Sequence, residues 1–247
     1  MNARSGAVHS RGLTVALVGL DGAGKTTVAG RLATVLDRPT AYVYMGVNAE
    51  SSNRLLPTTR LIEEIKRRRR PAGGGGRSGR GSHAAPAPGR RSVLGAPVRA
   101  TLGVLRLANR IAEETYRQRI AARYRAQGKV VILDRDFLFD FHASDIVDRG
   151  QRSLARRLHG IYLKRFYPRP DLLLFLDAPA DVLFARKGEG TVESLTRRRD
   201  DYRAALSLVP RHAVIDATRS LDDVTADAAA IIGSVLAGGT PDGGSRA

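Results

Sequence analysis

Residues 19 to 26 read Gly-Leu-Asp-Gly-Ala-Gly-Lys-Thr, which matches G-x-x-x-x-G-K-[ST] at every fixed position. The spacing has a physical purpose. Glycines at 19, 22 and 24 let the backbone curl until successive N–H groups point inward at phosphate oxygens. A helix opening at Lys25 would turn its positive end toward the same anion. Lys25 then supplies a cation for β- and γ-phosphates, and Thr26 a hydroxyl for Mg²⁺. The loop Asp21, Gly22, Ala23, Gly24, Lys25, Thr26 and Thr27 is therefore the candidate nucleotide site. A chance glycine-rich turn would lack the context seen here: an apolar strand before it, Leu13 to Val18, and a helical stretch after it, Lys25 to about Leu36. Such loops serve hydrolysis as well as transfer, so the motif alone leaves the reaction open.

A second cluster lies at Val130 to Asp136, VVILDRD, an apolar strand ending in a carboxylate. Beside a phosphate loop, Asp134 suits a Mg²⁺-holding acid, and Arg135 suits bidentate capture of an acceptor phosphate. The alternative is a strand-end ion pair between Asp134 and Arg135. Phe184 to Tyr202, FARKGEGTVESLTRRRDDY, joins two helical stretches through a glycine-bearing loop. Arg186 and Lys187 could close there over a nucleotide, with Arg197, Arg198 and Arg199 assisting. The alternative is a solvated basic face. Asp177 and Asp216 also end strands and are read as loop starters or helix caps. Asp140, His142 and Asp145 follow the third strand and could face a substrate; His142 has no metal partner at ligand spacing.

An alternation of strand and helix must position these groups. Further strands are expected at Ala41 to Met45, Lys129 to Leu133, Asp171 to Leu176 and Ala213 to Ile215. Helices are expected over Leu102 to Ala126, Ser153 to Leu163, Ala180 to Arg186, Val192 to Leu206 and Leu221 to Leu236, the last opened by a Ser220–Asp223 capping pair. Three of the strands are continuous apolar runs, the mark of strands buried on both faces in a parallel sheet. This is an α/β pattern, in which ligands sit beyond the carboxyl ends of the strands. Gly19, Asp134, Asp177 and Asp216 all fall at such ends.

The 247 residues, 43% of them hydrophobic, suffice for one sizeable core and exclude a disordered or collagen-like chain. Cysteine is absent, which excludes disulfides, a thiolate zinc site and cysteine nucleophiles. No apolar run approaches the ~18 residues that a bilayer span needs. Met1 to Arg11 is polar and lacks the apolar segment of a secretory signal, so a soluble cytoplasmic protein is expected. The net charge is +17, of which residues 66 to 99 hold ten units without a single acid. Within that segment, an Arg/Gly-rich insertion at about 67 to 97 is expected to be disordered. Flexible ends are expected at 1 to 11 and 237 to 247, which leaves one domain over 12 to 236.

Taken together, GLDGAGKTT, VVILDR, PDLLLFLDAPADVLFARKGEG, ESLTRRRDDY and IDATRSLDDV resemble the thymidylate kinase family of nucleoside monophosphate kinases, in family order. The resemblance implies a three-layer P-loop kinase fold, with a five-stranded parallel sheet and helices on both faces. It implies ATP- and Mg²⁺-dependent phosphoryl transfer to a nucleoside monophosphate, with dTMP the first guess. Carried over, Lys25 and the loop amides bind ATP, Thr26 and Asp134 serve Mg²⁺, and Arg135 takes the acceptor phosphate. Arg186 becomes a catalytic lid residue, since positions 20 to 23 hold no arginine. Ala217 and Thr218 match a segment near the adenine. The family is typically dimeric, so a homodimer is a further expectation. The acceptor side departs from the family: Met45-Gly46-Val47-Asn48-Ala49-Glu50 stands where Arg-Glu-Pro-Gly-Gly is usual, and Asp134-Arg135-Asp136 where Asp-Arg-Tyr is usual.

Two other functions stay open at this point. One is a P-loop kinase for a sugar, a nucleoside or another small alcohol, with Asp136 or Asp140 as base. The other is a nucleic-acid-associated P-loop ATPase using the basic insertion. The arginines of 66 to 99 would equally suit an anionic membrane surface.

Overall fold

The computed structural model describes residues 12–46, 96–148, 150 and 153–240, with backbone alone at 96–100 and 102. The insertion at 67–97 therefore lies almost wholly outside the described residues. So do residues 1–11, 241–247 and most of the divergent stretch at 45–50.

Five strands form one sheet: β1 (Leu13–Val18), β2 (Thr40–Tyr44), β3 (Val130–Asp134), β4 (Leu172–Asp177) and β5 (His212–Asp216). Their order is β2-β3-β1-β4-β5, and every pairing is parallel. Every residue of β3 and β4 is buried, as continuous apolar runs require of strands covered on both sides. Register aligns the chemistry. Asp134 lies opposite Leu17 and Tyr44, and Asp177 opposite Asp216. The strand ends that carry polar groups thus share one edge.

The helices are α1 (Lys25–Val35), α2 (Ala96–Ala126), α3 (Phe137–Phe141), α4 (Leu154–Arg165), α5 (Ala180–Lys187), α6 (Val192–Ala205) and α7 (Leu221–Leu236). From β1 to β2 the chain moves across the sheet in one direction; the later crossovers move in the other. Right-handed connections therefore place α1 on one face and α2, α4 and α6 on the opposite face. Helix α7 returns to pack on α1. The expected parallel sheet with helices on both faces is what the chain adopts.

Element boundaries shift by a residue or so, except at α2, which starts at Ala96 instead of Leu102. Pro97 fits its first turn, where a missing N–H costs no helical bond. The short α3 and the π-helical turn His142–Val147 behind it were not anticipated. No helix among the described residues is long and apolar enough to cross a membrane.

One buried polar cluster ties the layer of α2 and α4 together. His159 on α4 is fully buried; its Nδ1 lies 2.7 Å from Asp145 Oδ2 and its Nε2 lies 3.0 Å from Glu114 Oε1. Burial opposes charge on the ring, but its hydrogen bonds to Asp145 and Glu114 outweigh that and raise the His159 pKa. A raised histidine stabilises the fold fully below its unfolded value, near 6.5, and loses that contribution as pH climbs through the folded value. His159→Ala removes the hydrogen-bonded cation between two buried carboxylates and leaves Asp145 only the longer contacts with Arg110 and Arg156, at 3.9 and 3.7 Å. It should cost roughly 3 kcal/mol in urea denaturation at pH 6, with a smaller loss at pH 9. A loss below about 1 kcal/mol at pH 6 would mean that the carboxylates are solvated instead.

Candidate active site

The loop after β1 is shaped by its glycines. At Gly19 φ is +149°, and a Cβ would meet the Leu176 carbonyl oxygen at 2.5 Å, so no other residue fits there without displacing β4. Gly24 caps α1 in the left-handed region at φ +83°. No side chain caps α1, and no acid stands in its first turn. By contrast, Ser153, Thr191 and Ser220 cap α4, α6 and α7. The first N–H groups of a helix have no partner within it, so this end of α1 keeps donors and a positive pole for an anion.

Lys25 is 5% exposed, and its Nζ donates to the Leu20 carbonyl at 2.7 Å. Burial, reinforced by Arg135, brings its pKa down to about 8 against the pull of Asp21, Asp140 and Asp134. The ammonium is thus held inside the loop without full charge compensation.

Asp134 ends β3 fully buried. Its Oδ2 accepts from Thr26 Oγ1 at 2.7 Å and from Tyr42 Oη at 2.8 Å, while its Oδ1 is buried without a partner. An orphaned carboxylate oxygen beside a hydroxyl is a hard, oxygen-only donor set. It fits Mg²⁺. Thr26 and Asp134, 108 residues apart, meet here.

Arg135 is the one non-glycine residue with positive φ among those described, at 75°. Such a conformation costs on the order of 1–3 kcal/mol and persists where the surroundings impose it. It aims the side chain back over the loop, where Nη2 donates to Asp21 Oδ1 at 2.6 Å and buried Nε has no partner. The strand-end pairing of Arg135 with Asp134 does not form. Burial would raise Asp21, but Arg135, Lys25 and Lys187 together hold it at about 2. Burial would likewise lower Arg135, yet Asp140 and Asp21 raise it.

The helical pair α5–α6 sorts its cations by position. Arg186 Nη1 donates to the Ala217 carbonyl at 2.8 Å, which joins two expected nucleotide-side residues but turns Arg186 toward the β5 end. Lys187 stands against the loop instead, its Cβ 3.7 Å from where a Cβ on Gly22 would be. Of the three consecutive arginines, Arg197 pairs with Glu193 on the surface, Arg198 reaches within 3.9 Å of Asp21, and Arg199 grips Asp177 at 2.6 and 2.8 Å. Arg203 adds a third bond to Asp177 at 2.5 Å. Asp177 is therefore the anchor of α6, not the cap expected of it. Asp216 is a loop starter: its carboxylate accepts from Thr218 N and Oγ1.

The trio after β3 separates. Asp140 lies near Lys25 and Arg135 and accepts from Tyr202 Oη at 2.7 Å. Asp145 belongs to the buried His159 cluster. His142 lines a cavity elsewhere. Sequence reasoning missed Tyr42; it named Lys187 and Arg198 among the cations that could close over a nucleotide without telling which would stand against the loop. The signals were present: Tyr42 alternates with Ala41 and Val43 on β2, and Arg198 is one turn from Leu195, which is buried. No cluster of three or more metal-ligand side chains of the His/Cys/Asp/Glu type occurs among the described residues.

A parallel sheet ending in this loop, beside a strand-end aspartate bonded to the loop threonine, defines a P-loop kinase fold. No family model matches the chain. Curated relatives do. It is 32% identical over 240 residues to thymidylate kinase of Xanthomonas euvesicatoria pv. vesicatoria (strain 85-10), covering 92% of this chain and 85% of that one. Against the Xylella fastidiosa (strain 9a5c) thymidylate kinase the identity is 32% over 232 residues, 91% of this chain and 92% of the relative. Xanthomonas campestris pv. campestris (strain 8004) has a further one at 32% over 235 residues, 92% of this chain and 85% of its own. The chain belongs to the thymidylate kinase family.

Proposed function

We propose that the chain transfers the γ-phosphoryl group of ATP, with Mg²⁺, to a nucleoside monophosphate, dTMP being the first candidate. The observation that carries this reading is the Thr26–Asp134 pair, with its orphaned oxygen, set beside an uncapped helix end and the buried Lys25. Thr26 and Asp134 would hold the metal, which neutralises phosphate charge when bound. Lys25 and the loop from Asp21 to Thr27 bind the triphosphate. Arg135 takes the acceptor phosphate through its unpartnered Nε and the Nη2 now on Asp21. An acceptor phosphate oxygen then attacks the γ-phosphorus as the bond to ADP breaks. That oxygen is already anionic, so positioning and charge stabilisation suffice without a strong base. Arg186 and Ala217 belong to the nucleotide side; for Arg186 to reach the transferring group it must leave the Ala217 carbonyl.

An alcohol acceptor would need a base. Asp136, raised to about 7 by burial and by Asp140, has a suitable value. It is fully buried, however, and accepts from Leu138 N at 2.9 Å and Tyr167 Oη at 3.4 Å, so it caps α3. That leaves Asp140 alone for such a reading. An ADP-release assay across nucleoside monophosphates, nucleosides and sugars tests the choice. The expected result is stimulation by dTMP above every alcohol. Turnover with one alcohol and no nucleotide would transfer the assignment to the other class.

A further inference from the structure

A cavity of about 360 Å³ opens among the π-helical turn, the C-terminal end of α4 and the 3₁₀ turn that leads into β5. Arg169 stands three residues before β4, and Leu208 four before β5. Leu138 and His142 follow β3, so the cavity lies between the helical segment after β3 and the approaches to β4 and β5. None of its lining residues has a role in the phosphate site. Its volume is at the small end of pockets that hold organic molecules.

Its walls divide by chemistry. Ile146, Val147 and Leu208 supply apolar surface above the buried Leu138, while His142, Lys164 and Arg169 converge on the same space. Arg169 closes the end of α4, with Nη1 on the Leu163 carbonyl at 3.0 Å and the Tyr167 carbonyl at 3.3 Å, and keeps its charge. Among the described residues, neither the His142 ring nor the Lys164 ammonium has a hydrogen-bond or ion-pair partner. Two cations, Lys164 and Arg169, share this concavity with the His142 ring. Burial first, then Lys164 and Arg169, hold His142 below its ordinary pKa, and Asp201 on α6 offsets only part of this. Asp136, whose carboxylate acts on Arg169, is buried and already accepts from Leu138 N and Tyr167 Oη.

We propose that this cavity is a second ligand site that binds a small organic anion with an apolar body, its carboxylate, sulfonate or phosphate head on Lys164 and His142 and its body on Ile146, Val147 and Leu208. Lys164 supplies the attraction, reinforced by Arg169, and hydrogen bonds from the Lys164 ammonium and the His142 ring give the head its place. The apolar walls discriminate against inorganic anions, which have nothing to bury. The site is independent of the phosphoryl-transfer reading.

Isothermal titration of the full chain at pH 6 with octanoate, octylamine and inorganic phosphate tests the proposal. Octanoate should bind, octylamine should not, and phosphate should bind far more weakly than octanoate. Lys164→Glu, at an exposed position, should weaken octanoate about tenfold or more. The ring signal of His142, assigned by its absence in His142→Gln, should titrate at higher pH with octanoate present. An anion facing it would add to Asp201 and counter Lys164 and Arg169. Saturating ATP and Mg²⁺ should leave octanoate binding intact. No heat with octanoate, equal binding by phosphate, an unchanged affinity in Lys164→Glu, or competition by ATP would each overturn the proposal.

Discussion

Lys25→Ala should lose phosphoryl transfer by on the order of 10²–10³-fold while its melting temperature stays level or rises. The two halves of this result have one cause. Lys25 sits buried with a pKa near 8 against an ordinary value of 10.5, so the folded chain disfavours its charge. A lysine depressed in this way weakens the fold at every pH below the folded value, and the penalty fades as pH rises from 8 toward 10.5. Removing the side chain relieves that penalty, and the loop amides remain. A triphosphate supplies the missing counter-charge and pulls the proton back. ATP binding to the unaltered chain should accordingly take up protons around pH 8 and weaken as pH climbs through it. Calorimetry in two buffers of different ionisation heat, beside steady-state rates, measures both effects. Retained turnover in Lys25→Ala would remove this lysine from the reaction.

Asp134→Asn should reduce turnover at least a hundredfold and raise the Mg²⁺ concentration needed for half-maximal rate, on the scale seen when a charge-stabilising group is lost. The substitution is nearly isosteric. Its remaining carbonyl oxygen can still accept from Thr26 and Tyr42, which both bond Oδ2 in the native residue. What changes is the other atom: an amide nitrogen replaces the orphaned Oδ1 and presents hydrogens where a cation would lie. Stability should therefore hold while metal dependence does not. A Mg²⁺ titration of the initial rate decides the matter, and an unaltered curve would mean that the buried oxygen serves some other purpose.

Features with a short sequence period were legible from the chain alone. The apolar runs LTVALV and DLLLFL and the loop spacing placed β1, β4 and the start of α1 almost to the residue. Asp134 and Thr26 were named together because each lies at a fixed place relative to a strand end. The π-helical turn escaped because nothing in HASDIV separates a wide turn from an α-helical one. It forms where Asp145 is drawn to His159, fourteen residues further on, and no local pattern carries that attraction. The arginines of α6 show the same limit. Three consecutive cations look alike in sequence, yet 100° steps around the helix send one to Glu193, one toward Asp21 and one to Asp177. Arg186 was placed over the nucleotide by analogy, and its bond to Ala217 depends on a strand 26 residues later.

The Asp21–Arg135 bridge joins the two halves of the reaction into a single electrostatic circuit. On the proposed roles, an arriving acceptor borrows the guanidinium and strands a bare carboxylate beside the triphosphate. Each substrate then feels the presence of the other through one shared pair of charges. Linkage makes that influence equal in both directions. Antagonism of this kind favours letting go once the phosphoryl group has crossed, so departure would be eased and turnover paced more by chemistry.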